Sequence, residues 1–266
     1  MLYFVGTPIG NLKDVSLRAK EVLLQVDEIA CEDTRHSIGL LNALEIKKTL
    51  FSYHKFNEKE VSLKIIEKLK DGKNIAVISD AGMPVISDPG GVLVNCLIEN
   101  GLDFTVIPGP TAFVSALILS GLDASRFCFL GFLPEKNKER KEFLEKYKDL
   151  DLTTIFYSAP HNVVKDVESI YQVFGNRTAV AVKEITKMFE RAERFMLKDG
   201  LSNEPKGEYV LLVEGATPTN ENLSLTEEEH INKYLSLGID KKEAIKLVAK
   251  ERGVSKSTLY KYTIGK

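Results

Sequence analysis

Two carboxylates in a loop dense in glycine and proline are the residues of this chain best suited to chemistry. Asp80 and Asp88 sit in SDAGMPVISDPG (79–90), together with Gly82, Pro84, Pro89 and Gly90. Behind the loop, Asn74–Ser79 carries the β-branched run expected of a buried strand. Ahead of it, Gly90–Asn100 resumes an apolar pattern that suits a helix. A strand that ends in a carboxylate and a Gly/Pro loop before a helix is where open α/β sheets bind small ligands. The length of the loop favours a folded pocket edge, with a tight turn and a capping Asp as the plainer alternative. Two further loops have the same character, GTPIGN (6–11) and PGPTA (108–112). Glycine lets backbone approach a ligand, and proline stiffens the loop in advance. None of the three matches GxGxxG or GxxxxGK[ST], so a nucleoside triphosphate site has no support. Acids in such loops suit hydroxyl, ammonium or sulfonium groups better than phosphates. Asp80 is therefore expected to face a cationic or hydroxyl-bearing cofactor.

The elements that must hold these loops alternate in type. Leu2–Val5 reads as a strand and Ser16–Val26 as a helix. Glu28–Cys31 is a second strand, followed by a helix to Leu44. Thr49–Tyr53, the amphipathic Asn57–Lys70, the strand at 74–79, the helix at 90–100, Phe104–Ile107 and an apolar helix to Leu119 complete the first part. Such alternation implies a mostly parallel sheet covered on both faces. The pattern changes near Gly121–Ser125. Phe127–Phe132, Thr153–Tyr157, Thr178–Ile185 and Glu208–Glu214 read as strands, with helices at Glu135–Lys148 and His161–Phe174. The fold class is thus α/β, with an N-terminal α/β domain at 1–120, a C-terminal α/β domain at 121–216 and a helical tail at 220–266. Thr217–Ser224 reads as a polar linker. In the tail, Thr226–Glu229 and Asp240–Glu243 fit capping boxes. Ala249, Gly253, Ser255 and Leu259 fit a helix-turn-helix, with a small residue for close approach, a glycine for the turn and a serine cap.

The 266 residues carry a net charge of −2, with no global footprint for nucleic acid. Charge is unevenly spread, since Lys233–Lys266 holds nine Lys/Arg against Asp240, Glu243 and Glu251. A basic tail on an acidic body argues for an anionic partner at one end, against the common alternative of a solvated lysine-rich helix pair. Cys31, Cys96 and Cys128 and the four histidines show no disulfide or metal-ligand spacing, so no metal is expected. The longest apolar run, around Phe113–Leu119, is too short to span a bilayer. A cytoplasmic, reduced protein is expected.

GTPIGNL (6–12), CEDTR (31–35), SDAGMPVISDPG, IPGPTA (107–112), FLGFLP (129–134), YSAPH (157–161) and KEITKMFE (183–190) occur in this order. In these motifs the chain resembles the ribosomal RNA small subunit methyltransferase I family of the tetrapyrrole-methylase-like superfamily. The resemblance covers essentially the whole chain. It implies two α/β domains with S-adenosyl-L-methionine in the cleft between them, and a homodimer. It also implies 2′-O-methylation of a cytidine in the decoding region of 16S rRNA. Carried over by motif, the cofactor-binding residues are Pro8, Ile9 and Gly10; Asp80, Gly82, Met83 and Pro84; Gly109, Pro110, Thr111 and Ala112; and Leu130 and Phe132. A ribose hydroxyl is a poor nucleophile, so a base or a cation should assist it. The catalytic candidates are Glu32, Asp33 and Arg35 after a strand, and Glu184 and Lys187, which with Arg191 have the spacing of a helical face. For CEDTR the plainer reading is a capped helix start with an internal Asp–Arg pair. For 184–190 it is a solvated charge run. A small-molecule (tetrapyrrole) methylase and a DNA-binding regulator with a metabolite-sensing body are the competing functions.

Overall fold

Each β-branched or aromatic run in the first 120 residues becomes a short strand, and each amphipathic segment between them becomes a helix. The structure is a computed structural model and describes residues 1–202, 205–217, 225–260 and 262. The elements of the first part are β1 (Leu2–Val5), α1 (Leu17–Gln25), β2 (Glu28–Cys31), α2 (Thr34–Ala43) and β3 (Thr49–Ser52). They continue with α3 (Glu58–Lys70), β4 (Ile75–Ile78), α4 (Gly91–Glu99), β5 (Phe104–Ile107) and α5 (Ala112–Ser120). The five strands form one parallel sheet in the order β3-β2-β4-β1-β5. Ala19, Val22, Leu23 and Leu41 of α1 and α2 pack on one face. Ile65, Leu69, Leu93 and Leu97 of α3 and α4 cover the other. Burial on both faces is why β4 reads as an unbroken apolar run, IAVI, with no alternation.

The second sheet is mixed. It contains β6 (Phe127–Phe132), β7 (Thr153–Ser158), β8 (Thr178–Lys183), β9 (Arg191–Met196) and β10 (Tyr209–Val213), in the order β6-β7-β10-β8-β9. Only β6 and β7 run parallel; the other neighbours are antiparallel. Helices α6 (Asn137–Glu145) and α7 (Val163–Phe174) cover one face, with Leu144, Val167 and Ile170 in that core. The sequence reading missed β9. Its RAERFM pattern carries three charges, as befits an edge strand, where charged side chains guard unpaired backbone.

Helix α5 closes the other face of this second sheet. Its Ala116 and Leu117 pack with Ile155, Val180, Val182, Val210 and Leu212. A helix that leaves the first sheet thus completes the core of the second. By contact density the described chain falls into two units, Met1–Gly215 and Ala216–Lys266.

The second unit contains α8 (Glu227–Ser236), α9 (Lys241–Arg252) and α10 (Lys256–Tyr260). Thr226 and Glu229 form the reciprocal capping box at the start of α8. Asp240 caps α9 through the backbone N–H groups of Lys242 and Glu243, while Glu243 turns to Lys246 instead of closing a box. Gly253 ends α9 in the left-handed region that glycine adopts freely, and Ser255 accepts from the Thr258 N–H. Ile231, Ile245, Val248, Ala249 and Leu259 make a small core of their own. Most of the expected linker, residues 218–224, lies outside the described residues, as do Lys261 and Lys266 of the basic tail.

Candidate active site

Strand order decides which loops meet. Because β4, β1 and β5 are neighbours, the loops leaving their C-terminal ends, 79–90, 6–11 and 108–112, lie side by side. Thr7 and Gly82 exchange backbone hydrogen bonds of 2.9 and 3.2 Å, and the Thr7 hydroxyl donates to the Ser79 carbonyl at 3.3 Å. Gly6 lies against Gly109 so closely that a Cβ there would stand 2.7 Å from the Gly109 Cα. The Gly109 N–H points at the Met83 Sδ, 3.3 Å away. Val85 and Ser87 hold φ of 76° and 68°, in the left-handed region that residues other than glycine rarely enter, a β-branched one such as Val85 least of all. Such strain persists only where the surroundings enforce it, and it gathers at binding sites. At the far end of this loop the Glu58 carboxylate accepts from the Gly90 and Val92 N–H groups at 2.7 and 3.1 Å. A side chain of α3 thereby caps α4.

These loops form one side of a cavity of about 400 Å³. Of the residues expected to bind a cofactor, Ile9, Asp80, Gly82, Met83, Thr111, Ala112 and Phe132 line it. Pro8, Gly10, Pro84, Gly109 and Pro110 belong to the same loops but stand off its wall. Leu130 also stands off the wall. Its side chain packs into the core beneath α6 and α7. The cause is a β-bulge, since the register of β6 on β7 shifts between Phe129 and Gly131, with Gly131 at φ 66°. The bulge breaks the alternation that would have kept Leu130 and Phe132 on one face. Phe132 instead shares the face of Phe129, and both rings lie against Tyr157, at 5.5 and 4.9 Å between centroids.

Sequence reasoning missed Tyr157, Ser158 and Glu208 as wall residues. Tyr157 and Ser158 end β7, which runs parallel to β6, so they emerge beside Phe132. Glu208 precedes β10, whose antiparallel register sets Tyr209 opposite Ser158. The YSAPH motif was visible in sequence; the antiparallel return that brings in Glu208 was not.

Three carboxylates dominate one side of the site. Asp88, on the cavity wall, is pushed up to about 6 by burial, with Glu32 and Asp80 adding like charge. Burial also raises Glu32, helped by Asp80 and opposed by His54. Glu32 arrives here because β2 neighbours β4. The next residue, Asp33, donates its N–H to the Asp80 carboxylate at 3.2 Å. The Asp33 side chain caps α2 and is gripped by Arg35 through contacts of 3.1 and 2.8 Å. Those hydrogen bonds from Arg35 hold its carboxyl down at about 2. CEDTR is therefore a capped helix start with an internal ion pair, and Asp33 is a weak base. The Tyr157 phenol is raised by burial and stays a donor.

The expected helical face through Glu184, Lys187 and Arg191 is also corrected. Residues 184–190 form the turn from β8 to β9, and Arg191 starts the strand. Glu184 and Thr186 at φ 50° and 66° cannot sit in a helix. The turn still gathers charge. Lys187 pairs with Glu184 and with Glu208, each at 3.0 Å. Burial acts to lower the Lys187 amine, but Glu208 and Glu184 outweigh it, so it stays a cation. Burial likewise acts to raise Glu184, but the Glu208 N–H and Lys187 bring it below its ordinary value. Lys187 also reaches the first loop, since a Cβ on Gly10 would stand 2.6 Å from the Lys187 Cγ.

The sequence profile of the Tetrapyrrole (Corrin/Porphyrin) Methylases matches residues 1–199. Curated relatives named Ribosomal RNA small subunit methyltransferase I are similar over nearly the whole chain. The one from Halalkalibacterium halodurans is 42% identical, covering 97% of this chain and 93% of its own. The one from Bacillus subtilis is 42% identical, at 98% and 92% coverage. The one from Escherichia coli O157:H7 is 40% identical, at 99% and 94%. Among solved structures, the methyltransferase CobJ superposes with a TM-score of 0.62 at 18% identity, covering 81% of this chain and 94% of its own. Diphthine synthase gives 0.61 at 16% identity, with 81% and 90% covered. At these identities the structural likeness concerns the fold alone.

Proposed function

This chain belongs to the tetrapyrrole methylases and, within them, to the ribosomal RNA small subunit methyltransferase I family, and from that premise we propose that it 2′-O-methylates a cytidine in the decoding region of 16S rRNA. The observation that carries this reading is where similarity stops. The rRNA methyltransferase relatives match 97–99% of the chain, whereas CobJ covers 81%. A relationship spanning almost the whole chain takes in the basic helical unit, which a small acceptor does not need.

The methyl donor in this reading is S-adenosyl-L-methionine, and the cavity suits it. A space of about 400 Å³ is in the range for a ligand of that size. Acids and close-packed glycine backbone, with no phosphate cradle, suit a sulfonium and its hydroxyls. Pro8, Ile9 and Gly10, Asp80 with Gly82, Met83 and Pro84, and Gly109 to Ala112 would hold it from one side. Phe132 and the main chain at Leu130 would hold it from the other. When bound, it supplies an electrophilic methyl group. The protein's share of the reaction is to align the ribose oxygen with that methyl, exclude water and take the hydroxyl proton. We assign the proton to Asp88, a wall carboxylate ionised above a pH of about 6. To Lys187, off the cavity wall but paired with the wall residue Glu208 and with Glu184, we assign the positive charge that favours the alkoxide. Burial, with Glu32 and Asp80 adding like charge, keeps Asp88 basic. Asp33 holds the exposed Arg35 guanidinium, which offers a contact for an RNA phosphate.

In this reading residues 1–120 and 121–216 act as two lobes about the cavity, and residues 220–266 engage RNA. Val114 and Ile118 are exposed one turn apart on α5 and provide an apolar face for a second copy of the chain. Among the described residues no helix is long and apolar enough to cross a membrane; the cytoplasm is the proposed location.

Purified protein, labelled S-adenosyl-L-methionine and small subunits or rRNA from a strain lacking this gene would test the reading. Label at one 2′-O-methylated cytidine is the expected result. Cofactor binding without label in either RNA substrate would favour the tetrapyrrole reading, which the matching family model also allows.

A further inference from the structure

The turn from β8 to β9 carries two large apolar side chains that lie open to solvent. Met188 is 90% exposed and Phe189 72%. Single exposed apolar residues are ordinary, but these two are adjacent and stand on a turn that is held stiff. The Thr186 N–H donates to the Glu190 carboxylate at 2.7 Å, and the Glu190 N–H donates to the Lys187 carbonyl at 3.1 Å. At the base of the turn the Glu184 N–H donates to the Glu208 carbonyl at 3.1 Å, and the Glu208 N–H returns to the Glu184 carboxylate at 3.0 Å. The tip is therefore presented at a fixed place. That place is beside the cavity, because Ile185 lines it and four residues of chain reach at most about 14 Å.

Below the tip stands a pair of like charges. The register of β8 on β9 sets Lys183 directly opposite Arg191. Residues so paired hold their Cβ atoms about 5 Å apart on one face of the sheet, where like charges repel. Among the described residues neither cation has an ion-pair partner. Glu184, the acid next to Lys183 in sequence, is engaged by Lys187 and by the Glu208 N–H. Strand alternation puts Lys183 with Ala181 and Arg191 with Phe195, on the face covered by α6 and α7. The cavity lies on the other face, with Ile185 and Val210. The turn is thus a ridge with the cavity on one side and two cations on the other.

A phosphate between Lys183 and Arg191 would relieve their repulsion, and a base would cover the apolar crest. We infer that the β8–β9 turn binds single-stranded RNA next to the acceptor nucleotide, with one base stacked on Phe189 against Met188 and a phosphate held by Lys183 and Arg191. The inference rests on the rRNA-methylation reading and adds to it the course of the strand as it leaves the cavity. Stacking accepts any base, so the contact positions the strand and does not read its sequence.

Phe189→Ala, Phe189→Leu, Phe189→Tyr and Arg191→Gln would be compared with wild type on small subunits or rRNA, whichever the wild type labels. KM and kcat would be read at several salt concentrations, the S-adenosyl-L-methionine Kd by calorimetry, folding by thermal melts and oligomeric state by sedimentation. Phe189→Ala should raise KM for RNA about tenfold or more, with Phe189→Leu close behind it and Phe189→Tyr near wild type. Arg191→Gln should raise KM and reduce the slope of log KM against log salt by about 0.7. All four should keep kcat and the cofactor Kd within about twofold. A wild-type KM in folded Phe189→Ala would overturn the inference, as would equal KM values for the Leu and Tyr variants, which would mean an apolar contact without stacking. A dimer that dissociates on Phe189→Ala would give the tip to a second copy of the chain and overturn it too. Should Phe189→Ala not fold, an unchanged salt slope in Arg191→Gln would do the same. Wild-type protein that labels no RNA would remove the rRNA reading and this inference together.

Discussion

At the scale of single residues, the pKa of Asp88 joins stability and activity in opposite senses. Its carboxyl rises to about 6 on folding, through burial and then through Glu32 and Asp80. Between about pH 4, the ordinary value, and about pH 6, the folded state holds the proton more firmly than the unfolded chain. Stability from this group is therefore greatest below pH 4 and declines as pH climbs through 6. Activity that needs the carboxylate rises over the upper part of that window. Asp88→Asn should flatten the melting-temperature profile across this range and lower kcat about 10²-fold or more at neutral pH. Calorimetric melts and a pH–rate profile would check the two halves separately. Lys187→Met should lower kcat by about 10–100-fold while leaving the cofactor Kd near wild type, measured by calorimetry. Asp80 and Asp88 were visible in sequence because glycine and proline mark the loop. The shift on Asp88 was not, because it depends on Glu32, which arrives through the pairing of β2 with β4. The ion pair at Asp33–Arg35 was legible as a helix cap, since that geometry is local.

Among the elements, most strands and helices of the first sheet were readable from periodicity, and their loops fell at one edge by topology alone. The second sheet was harder for a physical reason. Antiparallel return places residues by register, and a charged edge strand such as β9 carries little apolar signal. The bulge in β6 is a further case, because a run as short as FCFLGF does not announce a change of face. Glu58 illustrates how elements secure one another. It takes two N–H groups at the start of α4 and a contact from the Tyr53 hydroxyl at 3.3 Å. Glu58→Ala should cost about 2 kcal/mol of stability, since it strips a charged acceptor from a helix N-terminus. It should also weaken cofactor binding by releasing the end of the 79–90 loop. Chemical denaturation and calorimetry would measure both, and unchanged values would mean that the cap is dispensable.

For the molecule as a whole, the division of labour between body and tail is open to a simple cut. Residues 1–215 and 216–266 are compact by separate sets of contacts. Removing 220–266 should leave S-adenosyl-L-methionine affinity within about twofold and raise KM for rRNA about tenfold or more, with a shallower salt dependence. Equal KM for the full and shortened chains would assign RNA recognition to the body. The placement of α5 has a different kind of consequence, which concerns synthesis. Ribosomes deliver α5 early, yet the strands that cover it, β8 and β10 above all, come late. Until β10 emerges and pairs with β7 and β8, a helix with the sequence AFVSALILS has no sheet to bury it. The growing chain therefore carries an uncovered apolar helix from the synthesis of α5 to that of β10, and a message truncated between Ser120 and Val213 yields a product prone to aggregate.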